Sequence, residues 1–481
     1  MSLKERKEQF VSGLYGGSIG EIYSITTVPV VSYLAYRLFA VTEQDSFLID
    51  FALNCLSCIT AVTVYSNVPI QLQTLILAPA LGYYIWNRKS VKLSLLVPLL
   101  LQTGATLPKK QFLTAYRSQM LILTNISILA VDFQIFPRRL AKVETWGTSM
   151  MDLGVGSFVF SMGLVSSRTI LKNQLTTTGY TFNLSRYGQL ILKSTKKALP
   201  LLVLGIVRLL SVKGLEYQEH VTEYGIHWNF FITLGFLPIF LAILDPFFHA
   251  FPRAFIALAI LLVYEFLLVK LNLLEIILTD EFRLQNFFTM NKEGICSFFG
   301  FLSIFIFGQL FGSFVLPSKP TPNSLLGQCG ILRKSFKSLS VSTFDGLLSL
   351  TLIYHLMFWF ISNSTEFHQV SRRIANIAYV MWVVSYNSTM LFVYNFIDKF
   401  FDDQKSSSSS SDPNASPILD ATNKNGLALF LLANLGTGFV NMSINTIDAP
   451  GYLAFGILVV YSLVLALVAI GLDRKGIYLK V

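Results

Sequence analysis

Charge is what this chain is short of. Only 13% of its 481 residues are Asp, Glu, Lys or Arg, about half the share that soluble domains carry. So few charges cannot cover a water-facing surface, and a soluble globular fold is excluded. Cysteine is scarce as well: Cys55, Cys58, Cys296 and Cys329 are too few for a disulfide framework. Cys55 and Cys58 form a CxxC pair, but inside an apolar run with no second pair nearby, so small buried helix side chains are expected there. Short stretches of period-two alternation are missing, which argues against an outer-membrane barrel. No cleavable signal pattern follows the charged start MSLKERKEQF, so the first apolar run is expected to remain as an anchor.

What the chain has instead is apolar length. Hydrophobic residues make up 53% of it, with 41 Phe, and a run of about 20 apolar residues spans a bilayer. The expected fold is an all-α polytopic membrane protein with about 13 transmembrane helices, at 20–40, 47–66, 70–87, 116–135, 148–166, 198–213, 227–246, 253–271, 294–315, 343–362, 376–397, 426–446 and 452–472. The run 91–103 is short and carries Pro98, and is read as interfacial. Residues 1–481 are expected to form one multi-span domain, with variable loops at about 88–115 and 403–417, the latter polar and of low complexity.

An odd number of spans puts the termini on opposite sides. One side then collects about twice as many Lys and Arg as the other, which makes it cytoplasmic. The N-terminus is expected to be lumenal and the C-terminus cytoplasmic. The net charge of +10 belongs to this bias and is no sign of nucleic-acid binding.

Against that background one joint stands out, VDFQIFPRRLAKVETWGTSMMDLGVG at 131–156. It gathers Asp132, Glu144 and Asp152 with Arg138, Arg139, Lys142 and Trp146. Charge at the end of a spanning helix is costly unless something holds it there. The three cations also sit on the side that positive charge avoids. A plain Asp132–Lys142 or Asp132–Arg ion pair fixing the loop is the modest reading, and a site for an anionic lipid headgroup is the functional one. Gly147, Gly154 and Ser161 recur at seven, as do Ser149, Gly156 and Gly163, which suits close helix approach.

Four further stretches carry polar groups. In EYQEHVTEYGIHW at 216–228, Glu216, His220, Glu223 and His227 would share one helical face, as a metal or proton-handling site or as an ordinary interfacial helix. GGSIGE at 16–21 puts Glu21 at the start of an apolar run but matches no nucleotide-binding fingerprint. SRRIAN at 371–376 places Arg372 and Arg373 at a helix start. NGLALFLLANLGTGFVNMSINTID at 425–448 holds amides, including Asn441, that read as glue between membrane helices.

The string AVDFQIFPRRLAKVETWGTSMMDLGVGSFVFS at 130–161, with GGSIGE upstream and LEYQEHVTEYGIHWNFF downstream, closely resembles the inositol acyltransferases of GPI-anchor biosynthesis (PIG-W type; the GPI-anchored wall transfer proteins of fungi). SRRIAN and the 425–448 stretch are similar to that family too, so the likeness covers nearly the whole chain. It implies a multi-pass endoplasmic-reticulum enzyme. The reaction would move a fatty acyl group, typically palmitoyl from acyl-CoA, onto the inositol 2-hydroxyl of glucosaminyl-phosphatidylinositol. Acyl-CoA is then a co-substrate, with membrane lipids around it, no cofactor and no structural metal. The base candidates are Asp132, Asp152, Glu144, His220 and His227. Asp132 and Lys142 are expected to be catalytic, the base with its orienting or oxyanion-stabilising partner. Arg138, Arg139, Glu144, Trp146, Asp152, His220, Glu223, His227, Glu21 and Arg372 are expected to bind substrate, with the arginine pair 138–139 on the inositol phosphate. No nucleophile motif is present, so direct transfer is expected. The rival readings are a lipid or solute transporter, which would show repeated halves, and a non-catalytic subunit of a GPI-processing complex.

Overall fold

The computed structural model describes residues 3–40, 46–87, 107–176, 183–214, 221–279, 283–317, 342–401 and 415–478. It is all-helical, with 79% helix and no strand among the described residues. Helices satisfy their own backbone, and in lipid no water can do that for them.

A short helix α1 (Leu3–Val11) precedes α2 (Ile19–Ala40), α3 (Phe47–Val62), α4 (Pro69–Trp86) and α5 (Gln111–Ala130). Then come α6 (Met150–Thr176), α7 (Leu184–Gly214), α8 (Phe230–Ile243), α9 (Arg253–Lys270) and α10 (Lys292–Val315). The last four are α11 (Thr343–Asn363), α12 (Ile377–Phe401), α13 (Gly426–Ser443) and α14 (Gly451–Arg474). A helix therefore lies over each of the thirteen expected stretches. Six of them, α6 and α10 to α14, are long and apolar enough to cross a membrane, and α3 and α8 are shorter apolar helices. The protein is a polytopic membrane protein. The run 91–103 and most of 403–417 lie outside the described residues.

Two boundaries matter for function. The helix expected over 116–135 ends at Ala130, so Asp132 sits in the turn beyond it. The polar stretch at 216–228 is not one helical face: its helix covers Val221–Tyr224 and stops at Gly225, whose φ is 111°. That left-handed value suits glycine and turns the chain before His227.

The interior is built around α10 and α12, whose apolar windows are 89% and 83% buried, against 28% for α11 and 22% for α13. Helix α6 packs against α10 more extensively than any other pair. A Cβ on Gly163 would meet the Phe305 carbonyl oxygen at 2.1 Å, and one on Gly308 would meet that of Phe160 at 2.2 Å. Small residues at both crossings let the two backbones touch. Phe133, Phe136 and Leu140 are fully buried and anchor the 131–149 segment on this bundle.

Candidate active site

A cavity of about 400 Å³ opens between α5, α6, α7 and α12. Along α5 it is lined from Tyr116 to Ser127 and on to Val131 and Asp132 in the turn beyond. At 1.5 Å per residue, Tyr116 to Val131 is a run of about 22 Å. Its middle is apolar, with Leu123, Met150, Val155, Phe158, Met390 and Phe430. One end is charged, with Asp132, Lys142, Glu144, Glu223 and Arg372 at the wall together with Arg208 of α7. The other end is polar and closed: the Tyr116 hydroxyl donates to Asn387 Oδ1 at 2.6 Å, and Tyr394 donates to Gln119.

Five of the expected site residues therefore meet, and what joins them differs from expectation. Lys142 does not pair with Asp132. Its Nζ donates to Glu223 Oε1 at 2.8 Å, and Arg372 Nη1 lies 3.0 Å from the same oxygen. Arg372 Nε donates to Asp152 Oδ1 at 2.7 Å, while Asp152 Oδ2 accepts from Ser149 Oγ at 2.6 Å and the Val143 N–H at 3.0 Å. Burial alone would raise the Glu223 carboxyl, but Lys142 and Arg372 hold it down at about 2. Burial would lower Arg372, yet Glu223, Tyr224 and Asp152 push it above its ordinary value. The result is a linked ladder of two acids and two cations.

Asp132 is placed differently. Its Oδ2 accepts one hydrogen bond, from Asn441 Nδ2 of α13 at 2.7 Å. Burial is the main influence on its proton affinity and raises it to about 6, against the lowering effects of Asn441, Lys7 and Arg138. A carboxyl in that range is suited to exchange a proton near neutral pH.

The other expected substrate contacts serve the framework. Arg138 was expected on the inositol phosphate, but its guanidinium donates to the carbonyls of Val131 (2.8 Å), Phe133 (3.0 Å) and Phe136 (2.9 and 3.2 Å) and lies 3.9 Å over the Phe10 ring. The fork closes the turn that follows α5, because buried carbonyls need donors. Arg139 bonds Glu21 Oε1 and Asn67 Oδ1, each at 2.5 Å, tying the loop to α2. Neither arginine lines the cavity, nor do Glu21, Trp146, Asp152 and His227. Trp146 leans on the His368 ring, 5.6 Å away. The His227 ring faces Phe287 at 6.3 Å, and its N–H of the backbone donates to Asn291 Oδ1 at 2.7 Å. Glu144 is exposed at the rim and accepts from Thr222 Oγ1 at 3.3 Å. His220 and Glu216 lie outside the described residues. No cluster of metal-ligating residues occurs among those described.

Two residues of this site are not among the site residues expected from sequence. Asn441 does not line the cavity but bonds Asp132, and its amide reads in sequence as helix glue; Arg208 lines the cavity as one charge within an apolar run. A lone Arg at membrane depth is itself a functional signal.

The sequence model of the GWT1 family matches residues 3–472. The chain belongs to the GWT1 family. It is similar over its whole length to GPI-anchored wall transfer protein 1 of Candida albicans (51% identical) and of Debaryomyces hansenii (50%), covering 99% of each. The Saccharomyces cerevisiae protein of that name is 44% identical over 100% of this chain and 99% of its own. The matches thus span the 131–156 joint and the cavity walls alike, and family membership rests on nearly the whole sequence.

Proposed function

We propose that this member of the GWT1 family is an acyl-CoA-dependent O-acyltransferase of GPI-anchor biosynthesis in the endoplasmic-reticulum membrane. It would transfer a fatty acyl group, typically palmitoyl, to the inositol 2-hydroxyl of glucosaminyl-phosphatidylinositol. The observation that carries this reading is the cavity itself. A passage of about 22 Å with an apolar middle ends at a carboxyl whose proton affinity is raised to about 6. An acyl chain fits the apolar length, and its thioester then lies at the charged end.

Asp132 takes the proton of the inositol hydroxyl as its oxygen attacks the thioester carbonyl carbon. The C–O bond forms, the C–S bond breaks, and CoA leaves as the thiolate. Lys142 has three N–H donors, one of which goes to Glu223, so it retains donors for the developing oxyanion. Glu223, itself held by Arg372, keeps the ammonium in place. With Arg138 and Arg139 occupied by the loop, the cation for a substrate phosphate is Arg208. It lines the cavity, lies 5.8 Å over the Phe231 ring and has no hydrogen bond or ion pair among the described residues. The charged end faces the lumen in this reading, as the distribution of Lys and Arg implies.

The test replaces Asp132→Asn and Lys142→Met separately and follows acylation of glucosaminyl-phosphatidylinositol by palmitoyl-CoA in membranes. Each variant is expected to lose about 10²-fold or more in turnover, the scale of a positioned acid–base group. Near-normal turnover in the folded Asp132→Asn protein defeats the assignment.

A further inference from the structure

The Asn441 side chain ties helix α13 to Asp132 in the turn after α5. Its Nδ2 donates to Asp132 Oδ2 at 2.7 Å and to the Thr437 carbonyl at 3.1 Å. Its Oδ1 accepts from Lys7 Nζ at 3.1 Å and from Thr446 Oγ1 at 3.2 Å. The two ends of an amide look alike until their partners are counted. Here a lysine, which can only donate, faces one end, and a backbone carbonyl, which can only accept, faces the other. The amide is therefore fixed with its NH₂ toward Asp132.

Lys7 belongs to α1, which has three further ties to this corner. Val11 lines the cavity, Phe10 lies under the Arg138 guanidinium, and Arg6 bonds Asp448 at 2.6 Å beyond the end of α13. The charged start of the chain thus reaches the reacting end of the cavity. The groups around Asp132 are the Lys7 ammonium from α1, Arg138 from its own turn and the neutral amide from α13. Lys142, on the same cavity, is bonded to Glu223.

We propose that Asn441 is the positioning residue for Asp132 and that Lys7, by orienting that amide, makes α1 part of the active site. The inference rests on the reading of Asp132 as the base. The amide holds one carboxylate oxygen and leaves the other to face the substrate hydroxyl. It also favours the charged, proton-accepting form, as does the ammonium behind it. Removing either raises the proton affinity of Asp132, so the base loses its charge at a higher pH. The acidic limb of the pH–rate profile then moves upward.

The experiment uses the full-length protein with two readouts. The first is the pH profile of acyl transfer in membranes. The second is an infrared pH titration of the purified protein, reading the protonated-carboxyl band that is absent in Asp132→Asn. Asn441→Leu is expected to raise the Asp132 midpoint by about one pH unit and to lower kcat about tenfold without changing KM for acyl-CoA. Lys7→Met, on a partly exposed helix, is expected to move the midpoint the same way by less, and Asn441→Gln to recover part of the loss. If Asn441→Leu does not accumulate, Lys7→Met decides. An unmoved infrared midpoint in the deciding variant overturns the proposal. A midpoint that moves while the rate profile stays put upholds the positioning of Asp132 and defeats its role as base.

Discussion

Two carboxylates of the 131–156 joint, Asp132 and Asp152, lie twenty residues apart in the chain and live in opposite circumstances. Asp152 is fully buried, accepts from Ser149, the Val143 amide and Arg372, and through Arg372 is linked to Glu223 and Lys142. Asp132 has one amide for a hydrogen-bond partner and faces a cavity. The first arrangement fixes geometry, since every charge has its counterpart. The second leaves a carboxyl facing open space, free to accept a proton in the proposed reaction. A site needs both kinds, and the sequence writes them with the same residue type.

The comparison can be broken most forcefully at Arg372. Arg372→Met leaves Asp152 and Glu223 without their shared cation, and breaking a buried pair this way costs about 3–5 kcal/mol. Thermal unfolding of the purified protein should show it as the largest loss of stability among the site variants. Next comes Arg138→Ala, which orphans the carbonyls of the turn after α5. A loss of about 2 kcal/mol is expected, with KM for the lipid acceptor unchanged in whatever protein remains folded, because this arginine does not reach the cavity.

Asp132→Asn should go the other way. A folded-state value of about 6 lies above the unfolded one. The folded protein therefore binds this proton more tightly, and the stability tied to it falls as pH rises through that window. At neutral pH the charged carboxyl is a burden that the neutral amide removes. The variant is expected to be more stable by about 1–2 kcal/mol at pH 7 while inactive, and no more stable at pH 4. Glu223 has the opposite sign. Held at about 2, it contributes stability that is complete above its ordinary range and is lost as pH falls toward 2. Glu223→Gln should flatten the acid side of the stability curve. The smallest effect is assigned to Arg208→Gln, which leaves stability within about 0.5 kcal/mol and raises KM for a phosphate-bearing substrate. Comparing acyl-CoA with an acyl-pantetheine thioester tells whether that substrate is the donor or the acceptor.

Much of the fold was legible because membrane solvent imposes one rule on every span. An apolar run must become a helix, and thirteen such runs did. The joint at 131–156 was visible because charge at a membrane edge needs a reason. The partners were not visible. Arg138 and Arg139 have the chemistry of a phosphate clamp, yet the turn broken at Pro137 leaves carbonyls that only a nearby guanidinium can satisfy, and Arg138 is in reach. Glu223 and His227 fit one helical face on paper, and a single glycine at 225 separated them.

Composition and apolar runs thus determined the class, the approximate helices and the one joint where charge gathers at a membrane edge. Only the tertiary structure decided that Lys142 answers to Glu223, that Arg372 joins the two acids behind it, and that Asp132 is left to an amide from the far end of the chain. The physical reason is range. Burial and backbone satisfaction act on neighbouring residues and leave their mark in local pattern. A hydrogen bond between residues 132 and 441 depends on where α13 comes to rest, and no local pattern encodes that.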